Sequence, residues 1–518
     1  MKNYLILFLF IFNISFLLGQ QKVFETNKAF LKPKKNSNES FALSDQINGN
    51  LMIITSDNKL VKGTLLDANY NNILELSGEN ISSKYEYIIG YSISDGIYSI
   101  LYSNSIQTKF VALQFDIHQK TVSEKKIKLK FNRERYVQSV VHANNLYIFT
   151  VERLNSSLKL FSFDEEFNPI LHEIDLLEVE EDLNKNNKRS TSLYHLFLNS
   201  RGAIPYVDIG KIDTENHNTL EATSRKVKFY HHKNKVLFTF DQLLDKTKVV
   251  EIDLNSITKT ITDYVKPDNN GDYFEKNNSF LHEDRIYHLA CSKEKFLFFI
   301  TDLNTKKLLK KFEVLRDDLI PFKNYSITQE DGGLIPFLQK NRTRELEKTS
   351  QFIHKLNHGD LGISVCKIDN NYNIVLGAAN IEMADTAKAL IALGAAAATL
   401  GAINAAGGIA PSSGGFGGSN TVYGYNDYLE YNYYNYTPFS LSLENPENVS
   451  DKSVFINCYF DKDLEHVSGD IPLNKFDLIK DFESQIEKPR AINIFRHQDK
   501  LHYNYLDKNN GKFGIYEF

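Results

Sequence analysis

The chain has 518 residues, of which 42% are hydrophobic and 24% are charged, and its formal net charge is −5. These values are ordinary for a globular protein and exclude a disordered, collagen-like or polytopic membrane chain. Because the small negative charge gives no long-range attraction to nucleic acid, we predict no nucleic-acid partner.

The N-terminus has the pattern of a secretory signal peptide. Lys2 supplies a positive charge, Tyr4 to Leu18 form an almost unbroken apolar run, and Gly19 is a small residue before Gln20. The run is too short for a transmembrane helix but fits a cleaved leader. We predict that residues 1–19 are removed and that the protein is exported, to the periplasm, the outer membrane or the medium. The Asn-, Lys- and Ile-rich composition resembles exported proteins of Gram-negative bacteria.

A short pattern then returns about every 47 residues through most of the chain. In each unit a polar turn precedes an alternating apolar strand, and further turns separate two more strands, of which the first often ends at Asp. Alternation with turns of Asn, Asp, Gly and Lys favours antiparallel strands with one face exposed. The leading strands of the units begin at Leu51, Ile97, Leu146, Leu193, Val236, Ile286, Leu334, Val454 and Leu501.

With the strand before each turn, every unit has about four strands, and this pattern resembles β-propeller repeat proteins. We predict an all-β fold, a propeller-like array of about seven to nine four-stranded antiparallel units over residues 41–518. Leu193 and Leu334 are the weakest matches, and two separate β-sandwiches are the alternative. The chain has no Trp, which excludes the propeller class built on a Trp-Asp dipeptide.

The last strand, within KFGIYEF, is the third of its unit. An early segment, near Val23 to Thr26 or Ser40 to Leu43, is therefore predicted to supply the fourth strand and close the ring, because open edge strands invite aggregation. The rest of residues 20–40 is predicted to be a linker.

Residues 383–438 form a low-complexity insertion within the predicted propeller. Residues 389–410 are uncharged and rich in Ala and Gly, which favours a helix. Three interpretations stay open: a helix packed on the propeller or a partner, a flexible excursion ordered on binding, and a membrane-inserted segment. Membrane insertion is the weakest, since Ala and Gly contribute little transfer free energy.

A tyrosine-rich stretch follows within the insertion. Tyrosines lose little entropy when ordered and present large amphipathic surfaces, which suits recognition of a protein partner or a cell-surface component. An exposed two-sided strand is the alternative. The predicted binding residues are Tyr423, Tyr425, Tyr428, Tyr431, Tyr433, Tyr434 and Tyr436.

Motifs of common chemistries are missing from the sequence. It has no GxSxG elbow, HExxH helix, P-loop or GxGxxG pattern, so we predict no catalytic residue, no cofactor and no metal site. His354, His358 and Asp360 have loosely metal-like spacing, but we interpret this segment as a hairpin turn between strands. Cys291, Cys366 and Cys458 lie in apolar strands and are predicted to be buried thiols, with one bridged pair left open.

Together these patterns predict an exported, non-enzymatic binding or scaffold protein of the bacterial cell envelope. It would contact its partner through the insertion or through a propeller face. One alternative is a hydrolase or lyase acting on a polysaccharide or a peptide, with its site in the propeller channel. Another is an envelope protein tethered through the Ala/Gly-rich segment.

Overall fold

The computed structural model describes residues 20–26, 39–56, 59–85, 87–104, 107–131, 134–153, 155–185, 192–199, 206–269, 271–331, 342–383, 449–487, 489–507 and 509–518. Seven sheets of four or five strands account for most of them, and they are the blades of a β-propeller. The predicted fold class is therefore confirmed, with seven units at the lower end of the predicted range.

The first strand of the chain, β1, covers Gln21–Glu25 and belongs to the last blade. Blade 1 consists of β2 (Glu39–Ser44), β3 (Leu51–Ser56), β4 (Leu60–Leu66) and β5 (Asn72–Glu79). Blade 2 consists of β6 (Tyr87–Ser94), β7 (Ile97–Ser103), β8 (Phe110–Asp116) and β9 (Thr121–Ile127). Blade 3 consists of β10 (Glu134–His142), β11 (Asn145–Glu152), β12 (Ser157–Phe163) and β13 (Pro169–Asp175).

Helices α1 (Leu177–Lys185) and α2 (Leu193–Phe197) and a small pair, β14 (Leu198–Asn199) with β15 (Tyr206–Val207), lead to blade 4. Blade 4 contains β16 (Gly210–Ile212), β17 (Val227–His232), β18 (Lys235–Phe240), β19 (Lys246–Asp253) and β20 (Thr258–Val265), with helix α3 (Leu220–Thr223) before β17. A second small pair follows, β21 (Asp268–Asn269) with β22 (Asp272–Tyr273). Blade 5 consists of β23 (Lys276–His282), β24 (Arg285–Cys291), β25 (Lys295–Asp302) and β26 (Leu308–Leu315).

Blade 6 has an unusual chain order, because its outer strands precede its inner ones in sequence. Its sheet order places β28 (Arg342–Leu346) outermost, followed by β27 (Ile327–Asp331), β31 (Val449–Phe460), β30 (Asn371–Met383) and β29 (Asp360–Ile368). Helix α4 (Thr349–His358) leads into β29, and α5 (Lys475–Ser484) leads into blade 7, which contains β32 (Arg490–His497), β33 (Lys500–Leu506) and β34 (Phe513–Glu517).

The ring closes in blade 7, where β1 pairs antiparallel with β34 from Gln21↔Glu517 to Glu25↔Gly514. Of the two predicted closing segments, the one near Val23 is thus the closing strand, whereas Ser40 to Leu43 belong to β2 of blade 1. Phe24 packs against the apolar cluster shared by blades 1 and 7. The closing pair removes an open edge from β34.

Seven of the nine predicted starts fall in propeller strands, but two assignments need comment. The start at Leu193 is wrong, because Leu193–Phe197 is a helix whose buried Leu193, Leu196 and Phe197 have helical spacing. Val454 lies in the third strand of blade 6 rather than the second, which begins at Asn371. Leu334 lies outside the described residues.

Six blades share one turn after their third strand, counted from β17 in blade 4, as the predicted strand-ending Asp indicates. In blade 1 the Asp67 carboxylate accepts hydrogen bonds from the backbone N–H groups of Asn69 and Asn71, both at 2.8 Å. Each such turn also has a non-glycine residue with positive φ three or four positions after the Asp, for example Tyr70 at 62°. An Asx turn of this kind replaces glycine as the device that reverses the chain. The six carboxylates belong to Asp67, Asp116, Asp164, Asp253, Asp302 and Asp461.

The segment containing His354, His358 and Asp360 is not the predicted hairpin turn. His354 and His358 belong to α4, in which Phe352, Ile353 and Leu356 are buried at helical spacing, and Asp360 begins β29. The helical spacing of these apolar residues outweighed the turn signal of the following Asn-His-Gly-Asp. Cys291, Cys366 and Cys458 are all buried and free, so none forms a disulfide.

Candidate functional site in the central channel

The centre of the propeller contains a segment that the repeat does not explain. We call residues 208–225 the channel segment. Its strand β16 pairs in parallel with β17, the opposite side of which pairs with β18, so that β16 is the innermost strand of blade 4. The segment then turns back, and Leu220 of α3 packs against Val375 and Ala379 of blade 6. It therefore lies between the inner strands of two blades.

Two glycines allow the channel segment to pack this closely. A Cβ at Gly210 would lie 2.1 Å from the carbonyl oxygen of Ala222, so the two arms of the segment could not meet. A Cβ at Gly377 of blade 6 would lie 2.8 Å from Leu220 Cδ1 and 2.2 Å from the Val454 carbonyl oxygen. Contacts below about 3 Å force the backbone to move, which densely packed interiors resist.

Polar contacts fix the channel segment to the wall. The Asn218 backbone N–H donates to Ser364 Oγ of β29 at 2.9 Å. Glu215 forms an ion pair with Arg496 of blade 7. At the base, Arg225 pairs with Asp208 at 2.5 Å and joins the two ends of the segment. The segment is thus attached to blades 4, 6 and 7 and forms part of the folded core of the ring.

Partial burial shifts the pKa of several ionisable groups in the segment and beside it. Burial lowers the pKa of Lys211 to about 8 and that of His217 to about 4. Burial also raises the pKa of Glu221, and Glu330 of β27 has a raised pKa because of burial and the nearby Glu221 carboxylate. Each of these shifts favours the neutral form of the group. The channel segment therefore carries an amine, an imidazole and a carboxyl group, at Lys211, His217 and Glu221, whose neutral forms are favoured.

The residues predicted from sequence to bind a partner do not lie in this channel segment. All seven tyrosines, Tyr423 to Tyr436, and the Ala/Gly-rich residues 389–410 lie outside the described residues. The ends of the insertion are visible, however, since Met383 of β30 pairs with Val449 of β31. In the described part of the chain no helix is long and apolar enough to cross a membrane, and the same part holds no group of three His, Cys, Asp or Glu residues arranged for a metal ion.

Sequence reasoning missed the channel segment because the false start at Leu193 placed it inside a supposed blade. The sequence does contain a signal against a strand here. Residues 214–219, TENHNT, include no apolar residue, whereas a half-buried strand needs an apolar residue at every second position. The interval from Leu146 to Val236 is accordingly about two repeat lengths and contains one unassigned insertion.

Known proteins resemble this chain only in architecture. No protein family and no curated protein matches the sequence. Among solved structures, the β-propeller domain of the Trilobed protease from Pyrococcus furiosus covers 66% of this chain and 78% of its own, at 10% identity and a TM-score of 0.24. An oligogalacturonate lyase in complex with manganese covers 57% and 72%, at 8% identity and a TM-score of 0.26.

A variant of the Synechocystis apocarotenoid oxygenase aligns over 54% of this chain, at 7% identity and a TM-score of 0.27. The aligned part spans 63% of that oxygenase, and thus less than two thirds of its length. The assignment of the propeller rests on the seven sheets and the closing pair of β1 and β34.

Proposed function

We propose that this protein is an exported, non-enzymatic scaffold of the bacterial cell envelope that displays the insertion after Met383 to a protein partner or a cell-surface component. The observation that carries the proposal is the ribbon formed by β30 and β31. These strands pair without interruption from Tyr372↔Phe460 to Met383↔Val449. The ribbon connects the insertion directly to a blade of the ring.

The base of this ribbon is firmly held. Ile374 and Leu376 of β30 and Ile456 and Cys458 of β31 are fully buried in the apolar cluster of blades 4 to 6. Burial of four such side chains stabilises the ribbon by several kcal/mol, on the order of 1.5 to 3 for each. A rigid base with a tyrosine-rich extension is the arrangement that antibody-like binding loops use.

Because Met383 and Val449 are paired, the insertion between them can be replaced by a short turn. Residues 384–448 are replaced by Asn-Gly, a two-residue turn that suits an antiparallel pair such as Met383 and Val449. We expect the melting temperature of this loop-less variant to stay within a few degrees of the parent, whereas its retention by an envelope fraction falls at least tenfold.

A second variant keeps the insertion and changes only its seven tyrosines to serine. Loss of retention in both variants supports the tyrosines as the binding residues, and equal retention of the parent and the loop-less variant refutes display by the insertion. Export is tested separately by the mass of the protein recovered outside the cytoplasm. A mature chain that begins at Gln20 supports the signal peptide, and an uncleaved chain confined to the cytoplasm contradicts it.

A second candidate function is a hydrolase or lyase acting on a polysaccharide or a peptide at the channel. Glu221 favours it, because a carboxyl group with a raised pKa keeps the proton that a general acid donates. Turnover of a panel of polysaccharides and peptides that is lost in Glu221→Gln would support this function. Turnover that is unchanged in this variant, or no turnover at all, would leave the scaffold as the function.

A further inference from the structure

Three lysines meet on two consecutive asparagines at the junction of blades 4 and 5. Lys226 Nζ donates to the Asn277 carbonyl oxygen at 2.5 Å, and Lys266 Nζ donates to Oδ1 of the same residue at 2.7 Å. Lys228 Nζ donates to Oδ1 of Asn278 at 2.5 Å. Like charges in a protein interior repel strongly, so this cluster requires a balancing arrangement.

Asp241 balances two of the three lysines. Its carboxylate lies 2.8 Å from Lys228 Nζ and 3.2 Å from Lys266 Nζ, and all three side chains are fully buried. The hydroxyl groups of Thr247 and Ser279 donate to the same carboxylate at 2.7 and 2.8 Å. The neighbouring lysines hold the pKa of Asp241 well below its usual range against the effect of burial. Lys228 and Lys266 are therefore both paired with Asp241, and this carboxylate opposes the lowering of their pKa by burial.

Lys226 is different, because its side chain is exposed to solvent and its hydrogen bond is to a neutral carbonyl group. Four charged groups act on its amine: the lysines Lys266 and Lys228 and the carboxylates of Asp241 and Asp360. Burial, followed by the repulsion from Lys266 and Lys228, lowers the pKa of Lys226 to about 8. Repulsion by fixed cations is a known means of keeping an accessible lysine neutral and nucleophilic.

We propose that Lys226 is a covalent modification site that forms an imine with small aldehydes or ketones. The unprotonated Nζ adds to the carbonyl carbon, and the carbonyl oxygen becomes the hydroxyl group of a carbinolamine after taking up a proton. Loss of this hydroxyl group as water then leaves a C=N bond to Nζ. No oxidant or reductant is consumed, and Lys228 and Lys266 act only by their charge. This site is independent of the display of the insertion.

The test uses the full mature protein with pyridoxal as the carbonyl probe and borohydride to trap the imine, followed by peptide mass mapping. Lys120, which is exposed in a turn of blade 2, serves as the internal control. At pH 7.5 we expect Lys226 to be labelled at least tenfold faster than Lys120, with a rate that levels off above about pH 8. Equal labelling of the two lysines, or a rate at Lys226 that still rises steeply between pH 9 and 10, would overturn the proposal.

Two variants sharpen the result. Lys226→Arg removes the amine and should abolish the label on that peptide while the label on Lys120 persists. Lys228→Met removes one neighbouring cation and should move the labelling midpoint to higher pH; a midpoint that stays in place contradicts the role of the cations. The comparison of Lys226 with Lys120 in the unchanged protein decides the proposal even where Lys228→Met does not fold.

Discussion

The seam between blades 7 and 1 predicts a steep loss of stability in acid. His497 and His502 lie there with ring centroids 5.9 Å apart, and both are buried. Burial lowers the pKa of each imidazole from 6.5 to about 4, and at His502 the adjacent His497 adds to the effect. A group with a lower pKa in the folded state takes up protons on unfolding. The stability that depends on it is complete above pH 6.5 and is lost as the pH falls from 6.5 towards 4.

The size of this effect follows from linkage. Near pH 5.25 an imidazole with these two pKa values is almost fully protonated when unfolded and almost unprotonated when folded. Each residue then changes the free energy of unfolding by about 1.2 kcal/mol per pH unit. The pair therefore accounts for a slope of about 2.4 kcal/mol per pH unit, which is large beside a typical total stability of about 5 to 15 kcal/mol.

The assay is urea unfolding between pH 7.5 and 4.5, compared for the parent and the double variant His497→Asn, His502→Gln. Asn can replace His497 Nδ1 in its 2.8 Å contact with Ser44 Oγ, and Gln can replace His502 Nε2 in its 2.7 Å contact with the Tyr70 hydroxyl group. We expect the slope to fall by about 2.4 kcal/mol per pH unit in the double variant. An undiminished slope in the double variant would refute the reasoning.

Three further predictions follow from the fold. Asp241→Asn should lower the free energy of unfolding in urea by about 3 to 5 kcal/mol, because it leaves buried ammonium groups unpaired. The control Asp272→Asn, at an exposed position, should have no measurable effect. Deletion of β1 (Gln21–Glu25) should lower the stability by about 2 to 4 kcal/mol, since Phe24 loses its packing, and should promote aggregation measured by light scattering; an unchanged, monodisperse variant would contradict closure by β1. The three thiols should react with Ellman's reagent at least a hundredfold more slowly in the folded protein than in urea, because burial raises the pKa of Cys291 and Cys366 to about 12.

The regular blades could be predicted from sequence because each depends on local signals. In the unit at Ile286, the strands IYHLACS, FLFFITD and LLKKFEV correspond to β24, β25 and β26. Alternation gives the strand, and the Asp of the following turn gives its end. Closure also follows from the sequence, since a last unit with three strands needs a fourth from elsewhere in the chain.

The irregular parts depend on contacts that no local pattern contains. In blade 6 the outer strands β27 and β28 come before the inner strands in sequence. The repeat interval around Leu334 therefore does not correspond to one blade. The channel segment is held by Gly377 and Ser364, which lie far away in sequence. The lysine cluster likewise joins positions in β17, β23 and the segments after β18 and β20, and only the folded ring brings them together.

The Asp turns recur at the same strand end in six blades. The turn follows the third strand of blades 1 to 6, where the chain continues directly or after an insertion into further structure. In blade 7 the third strand is β34, and its outer neighbour β1 comes from the other end of the described chain. In blade 6 the turn after Asp461 is kept although the outer strands β27 and β28 come from earlier in the chain. The Asp461 carboxylate accepts from the backbone N–H groups of Asp463 and Glu465 at 2.9 Å, and beyond the turn His466 bridges antiparallel to Phe460. The turn therefore reverses the chain even where the next strand of the sheet comes from an earlier part of the sequence.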